Sequence, residues 1–203
     1  MISLYIDTES SDYVINGTSL TDPGQPLICQ VAAVLSYTQG RVISTLSAII
    51  SQTKWVGIRK NLITERCTAK HGVTDEMCER FGEAPDTILH MLSRWVGYAD
   101  RVVAHNIQFD IGMIERACNQ QQLPPPVWPE EYCTMINAAK VMKIPSGGSH
   151  TIDGYKAPKL TEAYQFFTKK PLVNNHDALA DVYACRYVHR GILKTLNPPE
   201  EPK

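Results

Sequence analysis

Between Leu27 and Tyr37 the chain runs almost without interruption through apolar residues, among them Ile28, Val31, Ala32, Val34 and Leu35. A short, continuous run of this kind predicts a central strand. Thr38-Gln39-Gly40 marks a turn, and Arg41 to Ser51 returns as a third strand, so the two form a hairpin. Ahead of them Ile2 to Asp7 reads as strand one. A long polar loop from Ser10 to Gln25, punctuated by Asn16-Gly17 and Pro23-Gly24, separates it from the hairpin. The opening quarter is therefore expected to be an antiparallel meander.

Downstream the period changes. Pro85 suits the first turn of a helix that carries Ile88, Leu92 and Trp95 at helical spacing. Arg101 to His105 is a short buried strand, followed by a helix whose one face holds Ile107, Ile111, Ile114 and Cys118 and which reaches about Gln122. Pro124-Pro125-Pro126 ends that helix in a stiff connection. Tyr132-Cys133 closes a last short strand, and Thr134 to Lys143, Lys159 to Thr168 and Asp177 to about Leu193 are helical. Lys54 to Gly82 shows less regularity, and Pro145 to Pro158, with Gly147-Gly148 inside it, reads as a loop.

The 203 residues are enough for one domain with a full core, expected to span residues 1–196, with a frayed Pro/Glu tail at 197–203. The chain is 43% apolar and 20% charged, in the range of ordinary globular proteins, and no run approaches the ~20 apolar residues of a membrane span. The start carries no basic signal-peptide region. The six cysteines are scattered without a C-x-x-C pair and read as buried thiols, so the expected compartment is a reducing cytoplasm. A net charge of −1 argues against a protein that coats long duplexes through many phosphate contacts. It is compatible with an enzyme that grips one strand end through bound metal ions. Basic groups cluster at Lys54, Arg59, Lys60, Arg66 and Lys70, and again at Lys156, Lys159, Lys169 and Lys170; each alone reads as solvated surface.

Three segments carry chemistry. In the first, Asp7 and Glu9 stand at alternate positions of a strand and so project from one face. Two adjacent carboxylates repel unless a cation lies between them, and hard oxygen ligands suit Mg²⁺ or Mn²⁺. The second segment, Asn106 to Asp110, places an acid where a strand gives way to a helix, the usual place for ligands in α/β sheets. The third holds His176 and Asp181. Five helical steps would leave these two ~140° apart, so they serve one site only if His176 precedes the regular helix. Asn174-Asn175 offers capping residues for such an entry, and Asp177 in the first turn complements the helix dipole.

The order Asp7-x-Glu9, Asn106-x-x-Phe109-Asp110, His176-x-x-x-x-Asp181 resembles the DEDDh (DnaQ-like) 3′→5′ exonucleases, typified by the proofreading epsilon subunit of bacterial DNA polymerase III. The resemblance runs from Ile2 to Val188. His71-Gly72-Val73-Thr74 is similar to the family's H-G-I-T segment, and Leu160 to Phe167 to the helix before its last motif. The sister group has Tyr four residues before the final Asp; here that position is Asp177, and His176 stands one residue earlier. Two departures are visible. The acidic motif continues Ser10-Ser11-Asp12 instead of T-T-G, with a longer loop behind it, and the loop at Gly147-Gly148 has no counterpart.

The resemblance implies an α/β, RNase H-like fold, a mixed five-stranded sheet flanked by helices. It implies two divalent metal ions, Mg²⁺ or Mn²⁺, held by Asp7, Glu9, Asp110 and Asp181, and a general base at His176 that takes the proton of the attacking water. That base must be neutral, which a reference pKa of about 6.5 allows above neutral pH. It further implies that Thr8, His71, Val73, Asn106 and Phe109 touch or support the terminal nucleotide, although His71 also suits a turn and Phe109 a core. His90, His105, His150 and His189 have no metal-ligand spacing and are expected to be structural or exposed. The expected substrate is a single-stranded or frayed 3′ end of DNA, released as nucleoside 5′-monophosphates, with a polymerase or replication complex as a conceivable partner. RNA, as in RNase T-like and oligoribonuclease-like relatives, is the alternative, and a non-catalytic binding module a remote third.

Overall fold

The computed structural model describes residues 1–147 and 151–197. Its centre is a five-stranded mixed sheet in the order β3-β2-β1-β4-β5: β1 Ile2–Ser10, β2 Ile28–Tyr37, β3 Val42–Ile49, β4 Arg101–Ala104 and β5 Glu130–Cys133. The helices are α1 Glu65–His71, α2 Asp75–Phe81, α3 Pro85–Val96, α4 Ile107–Gln120, α5 Thr134–Met142, α6 Leu160–Thr168 and α7 Ala178–Leu196. The α/β class and the mixed five-stranded sheet are those expected.

The apolar run of β2 is an interior strand as expected, paired with β1 and β3 and buried over nearly its whole length, and β1 takes the middle of the sheet. β1 pairs antiparallel with β2 through Asp7↔Ala32 and parallel with β4 through Leu4↔Val102 and Tyr5↔Val103. Pairing with β4 ends at Tyr5, but pairing with β2 carries the strand past Asp7 to Ser10, so both acidic residues are inside it. Its alternation divides the core in two. Leu4 and Ile6 face the layer of α3 and α4 with Ile88, Leu92, Ile111 and Ile114, whereas Tyr5 faces α7 with Ala178, Val182 and Cys185.

Several segments are more structured than their residues suggest. The stretch from Lys54 to Gly82 holds α1 and α2, seven residues each and too short to display a period. Inside the expected loop at Pro145 to Pro158, β6 Thr151–Ile152 pairs with β7 Tyr155–Lys156. Asp153 and Gly154 connect them with φ of 50° and 84°, the left-handed pair that an Asp-Gly hairpin turn requires. Tyr132-Cys133 is therefore not the last strand. Gly148 and His150 lie outside the described residues, as does the tail beyond Asn197.

The polar loop 11–26 lies against α4. Arg116 Nη2 donates to the Pro23 carbonyl at 2.7 Å, and Leu20 covers Gly112, where a Cβ would stand 2.6 Å from that of Leu20. All six cysteines are buried and free. No helix among the described residues is long and apolar enough to cross a membrane.

Candidate active site

Parallel pairing of β1 with β4 brings their C-terminal ends to the same edge of the sheet. Asp7 and Glu9 share the Tyr5 face and look toward the start of α7. After β4, Asn106 takes a left-handed turn (φ 76°) that throws the chain into α4, and Asp110 follows in its first turn, buried.

Thr8 points to the opposite face from Asp7 and Glu9. Its backbone N–H and its hydroxyl both donate to Asp110 Oδ1 at 2.9 Å. The residue between the two strand acids therefore fastens the third acid to β1. Thr8 alternates with them in sequence, so the face it takes was legible, but its partner 102 residues away was not.

His176 stands outside the helix. It has φ of 70°, its backbone N–H donates to Asp181 Oδ2 at 3.0 Å, and its Nδ1 lies 3.9 Å from Glu9 Oε1. The helix cap is Asp177, whose carboxylate accepts from the Ala180 N–H at 2.9 Å, a role expected of Asn174-Asn175. The aspartate's side chain can reach the free N–H groups of the first turn only from the capping position. Ligand atoms of Glu9, His176 and Asp181 all lie within 4.8 Å of one another.

Burial and mutual repulsion set the charge of the cluster. Burial, then the negative charges of Asp110, Asp181 and Glu9, hold the Asp7 carboxyl well above the usual range. Burial pushes Asp110 up to about 8 against the two hydrogen bonds from Thr8, Glu9 up to about 7 against the nearby Lys70 ammonium, and Asp181 up to about 6. His176 is shifted downward, first by burial and then by Lys70, so the neutral imidazole is favoured. Asp181 Oδ1 is buried without a hydrogen-bond partner. Four converging carboxylates and an orphaned oxygen are what a pair of hard divalent cations would satisfy, so the residues present fit such ions.

The remaining expected contacts divide. His71 receives the Val73 N–H on Nδ1 at 3.1 Å, so its Nε2–H donates to the Ser10 carbonyl at 3.2 Å; both ring nitrogens are engaged within the chain. Val73 is buried beside Cys29, Cys67 and Cys78, and Phe109 packs on the main core. Asn106 is exposed at the rim. His105 lies between Thr134 and the Pro158 carbonyl, and His189 is fully buried against Tyr5, both structural as expected; His90 is exposed. Lys70 is exposed, as read, and also sets its Nζ 3.7 Å from Glu9 Oε2. Its position just before His71 gave no signal, because the strand it meets is 61 residues away.

An α/β domain that gathers four carboxylates and an imidazole at one end of its sheet has the makings of a cation-dependent hydrolase. Residues 18–188 match the RNase_T family model, described as Exonuclease, and the chain belongs to this family. The match includes Asp110, His176 and Asp181 and begins after Asp7 and Glu9. No curated protein matches the chain. Among solved structures, E. coli exonuclease I in complex with a dT13 oligonucleotide has a TM-score of 0.72 at 17% identity, over 97% of this chain and 42% of that one. The zinc-bound form of the E. coli exonuclease I complex with single-stranded DNA has a TM-score of 0.69 at 16% identity, over 98% and 41%. At such identity the likeness is one of fold, and the chain spans about two fifths of the length of those proteins.

Proposed function

We propose that the protein is a metal-dependent 3′→5′ exonuclease that removes nucleoside 5′-monophosphates from single-stranded or frayed DNA ends. The observation that carries this reading is the convergence of Asp7, Glu9, Asp110 and Asp181, from β1, α4 and α7, beside His176. Divalent ions bound by these acids would supply Lewis acidity and charge neutralisation at the phosphate. The chain's own residues do the rest. Thr8 holds Asp110 in place, the Asp181 carboxylate fixes the His176 backbone, and the neutral imidazole accepts the proton of the attacking water. Family membership supports the reaction class. DNA is favoured because the similar structures are complexes with dT13 and dA16 oligonucleotides.

The test is a side-by-side digestion of 5′-labelled and 3′-labelled single-stranded DNA, duplex DNA and RNA with Mg²⁺ or Mn²⁺. The expected result is stepwise shortening of the 5′-labelled DNA strand and immediate release of the 3′ label. Faster attack on RNA would overturn the substrate choice, and undiminished hydrolysis in EDTA the metal requirement.

A further inference from the structure

The acidic cluster lies at one end of a lane. Helix α1 is laced to the segment leaving β1. Lys70 Nζ approaches Glu9 Oε2 at 3.7 Å, His71 Nε2 donates to the Ser10 carbonyl, and the Thr64 N–H donates to the Ser11 carbonyl at 2.9 Å. Arg66 Nε donates to Asp12 Oδ1 at 3.0 Å. The C-terminal end of α1 thus abuts the carboxylates, and its first turn lies three residues further out along the exit of β1.

Lys70 and Arg66 are four residues apart on α1, on one helix face and separated by a rise of ~6 Å. That is close to the separation of neighbouring phosphates in an extended single strand. Past Arg66 comes Tyr13, 51% exposed, with the Arg66 guanidinium 4.6 Å from its ring centroid. Tyr13, Ile15 and Leu62 line a cavity of about 310 Å³, and Ile15 and Leu62 are themselves 50% and 60% exposed. Exposed apolar side chains gathered round one cleft mark a contact surface.

We propose that this lane, from Lys70 through Arg66 to Tyr13, carries the polynucleotide upstream of the cleaved end; the inference rests on the nuclease reading above. Lys70 and Arg66 take successive phosphates, and the Tyr13 ring stacks on a base beyond them. The pieces suit the task. An arginine fork matches a phosphate, and the exposed pair it makes with Asp12 is weak enough to exchange. Stacking on an aromatic ring tolerates any base, as digestion of any sequence needs. With a net charge of −1, attraction for a polyanion has to be local, and a cationic helix face beside the acids supplies it.

The experiment measures binding of 5′-fluorescein dT10 by anisotropy across a salt series, together with hydrolysis of dT2 and dT10 in Mg²⁺ or Mn²⁺. The proteins are the full chain and its Arg66→Gln, Arg66→Lys and Tyr13→Ala variants, with Arg80→Gln on α2 as a charge-loss control. Arg66→Gln is expected to weaken dT10 binding about tenfold and to flatten the log K against log salt line by about 0.7, and Arg66→Lys to restore the slope. Tyr13→Ala weakens dT10 binding about tenfold with the slope intact. Both losses are greater for dT10 than for dT2, which ends before the lane, and Arg80→Gln matches the unmodified chain. Unchanged dT10 affinity in both variants, or equal losses on dT2 and dT10, would overturn the lane. If dT10 binds in an Arg66-dependent way but is never cut, the nuclease reading fails and the lane stands; normal cutting with Arg66-independent binding removes the lane alone.

Discussion

The backbone N–H of His176 donates to the Asp181 carboxylate at 3.0 Å, so the imidazole and the last acid of the cluster hold one another in place. The contact keeps His176 at φ 70°, a left-handed conformation that costs a non-glycine residue on the order of 1 kcal/mol or more. Asparagine tolerates that conformation, so His176→Asn should remove the base without disturbing the entry to α7. The expected result is a kcat lower by roughly 10²–10⁴, with the thermal midpoint moved by no more than about 3 °C. A near-normal kcat would show that the proton leaves by another route.

Asp7 sits among three other acids, and burial and their charges make its ionised form costly. Asp7→Asn should abolish hydrolysis and, in EDTA, raise the thermal midpoint by about 2–4 °C, as relief of buried repulsion stabilises the fold by about 1 kcal/mol. A fall in the midpoint would mean that the Asp7 carboxylate holds the fold together instead of straining it.

Divalent ions should act in the opposite way on the unmodified chain. Mg²⁺ or Mn²⁺ bound only by the folded cluster adds about 2.7 kcal/mol at a hundredfold excess over Kd. Scanning calorimetry with and without chelator should show that rise, and Asp7→Asn should lose most of it. Identical midpoints in EDTA and in saturating Mg²⁺ and Mn²⁺ would count against a cation site.

His189 gives the fold a pH dependence of its own. Burial, then the nearby Arg101 charge, lowers its pKa to about 4, and its neighbours are Tyr5 and Tyr132. Between pH 6.5 and 4 the unfolded chain binds a proton there that the native chain refuses, so this contribution to stability is lost as pH falls. The site acids act with the opposite sign, because their folded pKa values are raised. The difference between the unmodified chain and His189→Gln isolates the histidine. Urea unfolding in that window should show the slope of stability against pH more positive in the unmodified chain than in His189→Gln by up to about 1.4 kcal/mol per pH unit. Equal slopes would show that the native interior accepts the proton.

Gly112 lets the long loop close on α4. A Cβ there would meet the Leu20 Cβ at 2.6 Å. Gly112→Ala gains about 1 kcal/mol of helix propensity, but overpacking costs about 1–3 kcal/mol, and the exposed loop yields before the helix does. Limited proteolysis near Asn16-Gly17 should accelerate several-fold. An unchanged cleavage rate would show that Leu20 has room to turn aside.

The motifs were legible because their logic is local. Alternation in β1 set Asp7 and Glu9 on one face, and the ~140° mismatch between His176 and Asp181 demanded the non-helical entry that φ 70° supplies. What stayed hidden depended on partners far along the chain or on elements too short to show a period. Thr8 grips an acid 102 residues on, Lys70 meets Glu9 from a seven-residue helix, and β1 stands in the middle of the sheet because β4 pairs with its other edge. The Asp153-Gly154 pair is itself a hairpin-turn signal, but strands of two residues on either side of it are too short to show alternation.

The sequence by itself determined the class of the fold and the residue types of the cluster, since periodicity and side-chain chemistry are carried by the chain. Tertiary structure alone decided that four acids from β1, α4 and α7 share one charge environment, and that Lys70, Arg66 and Tyr13 line up beside it. Burial and distance shift a pKa or align two cations, and neither quantity exists until the chain has folded.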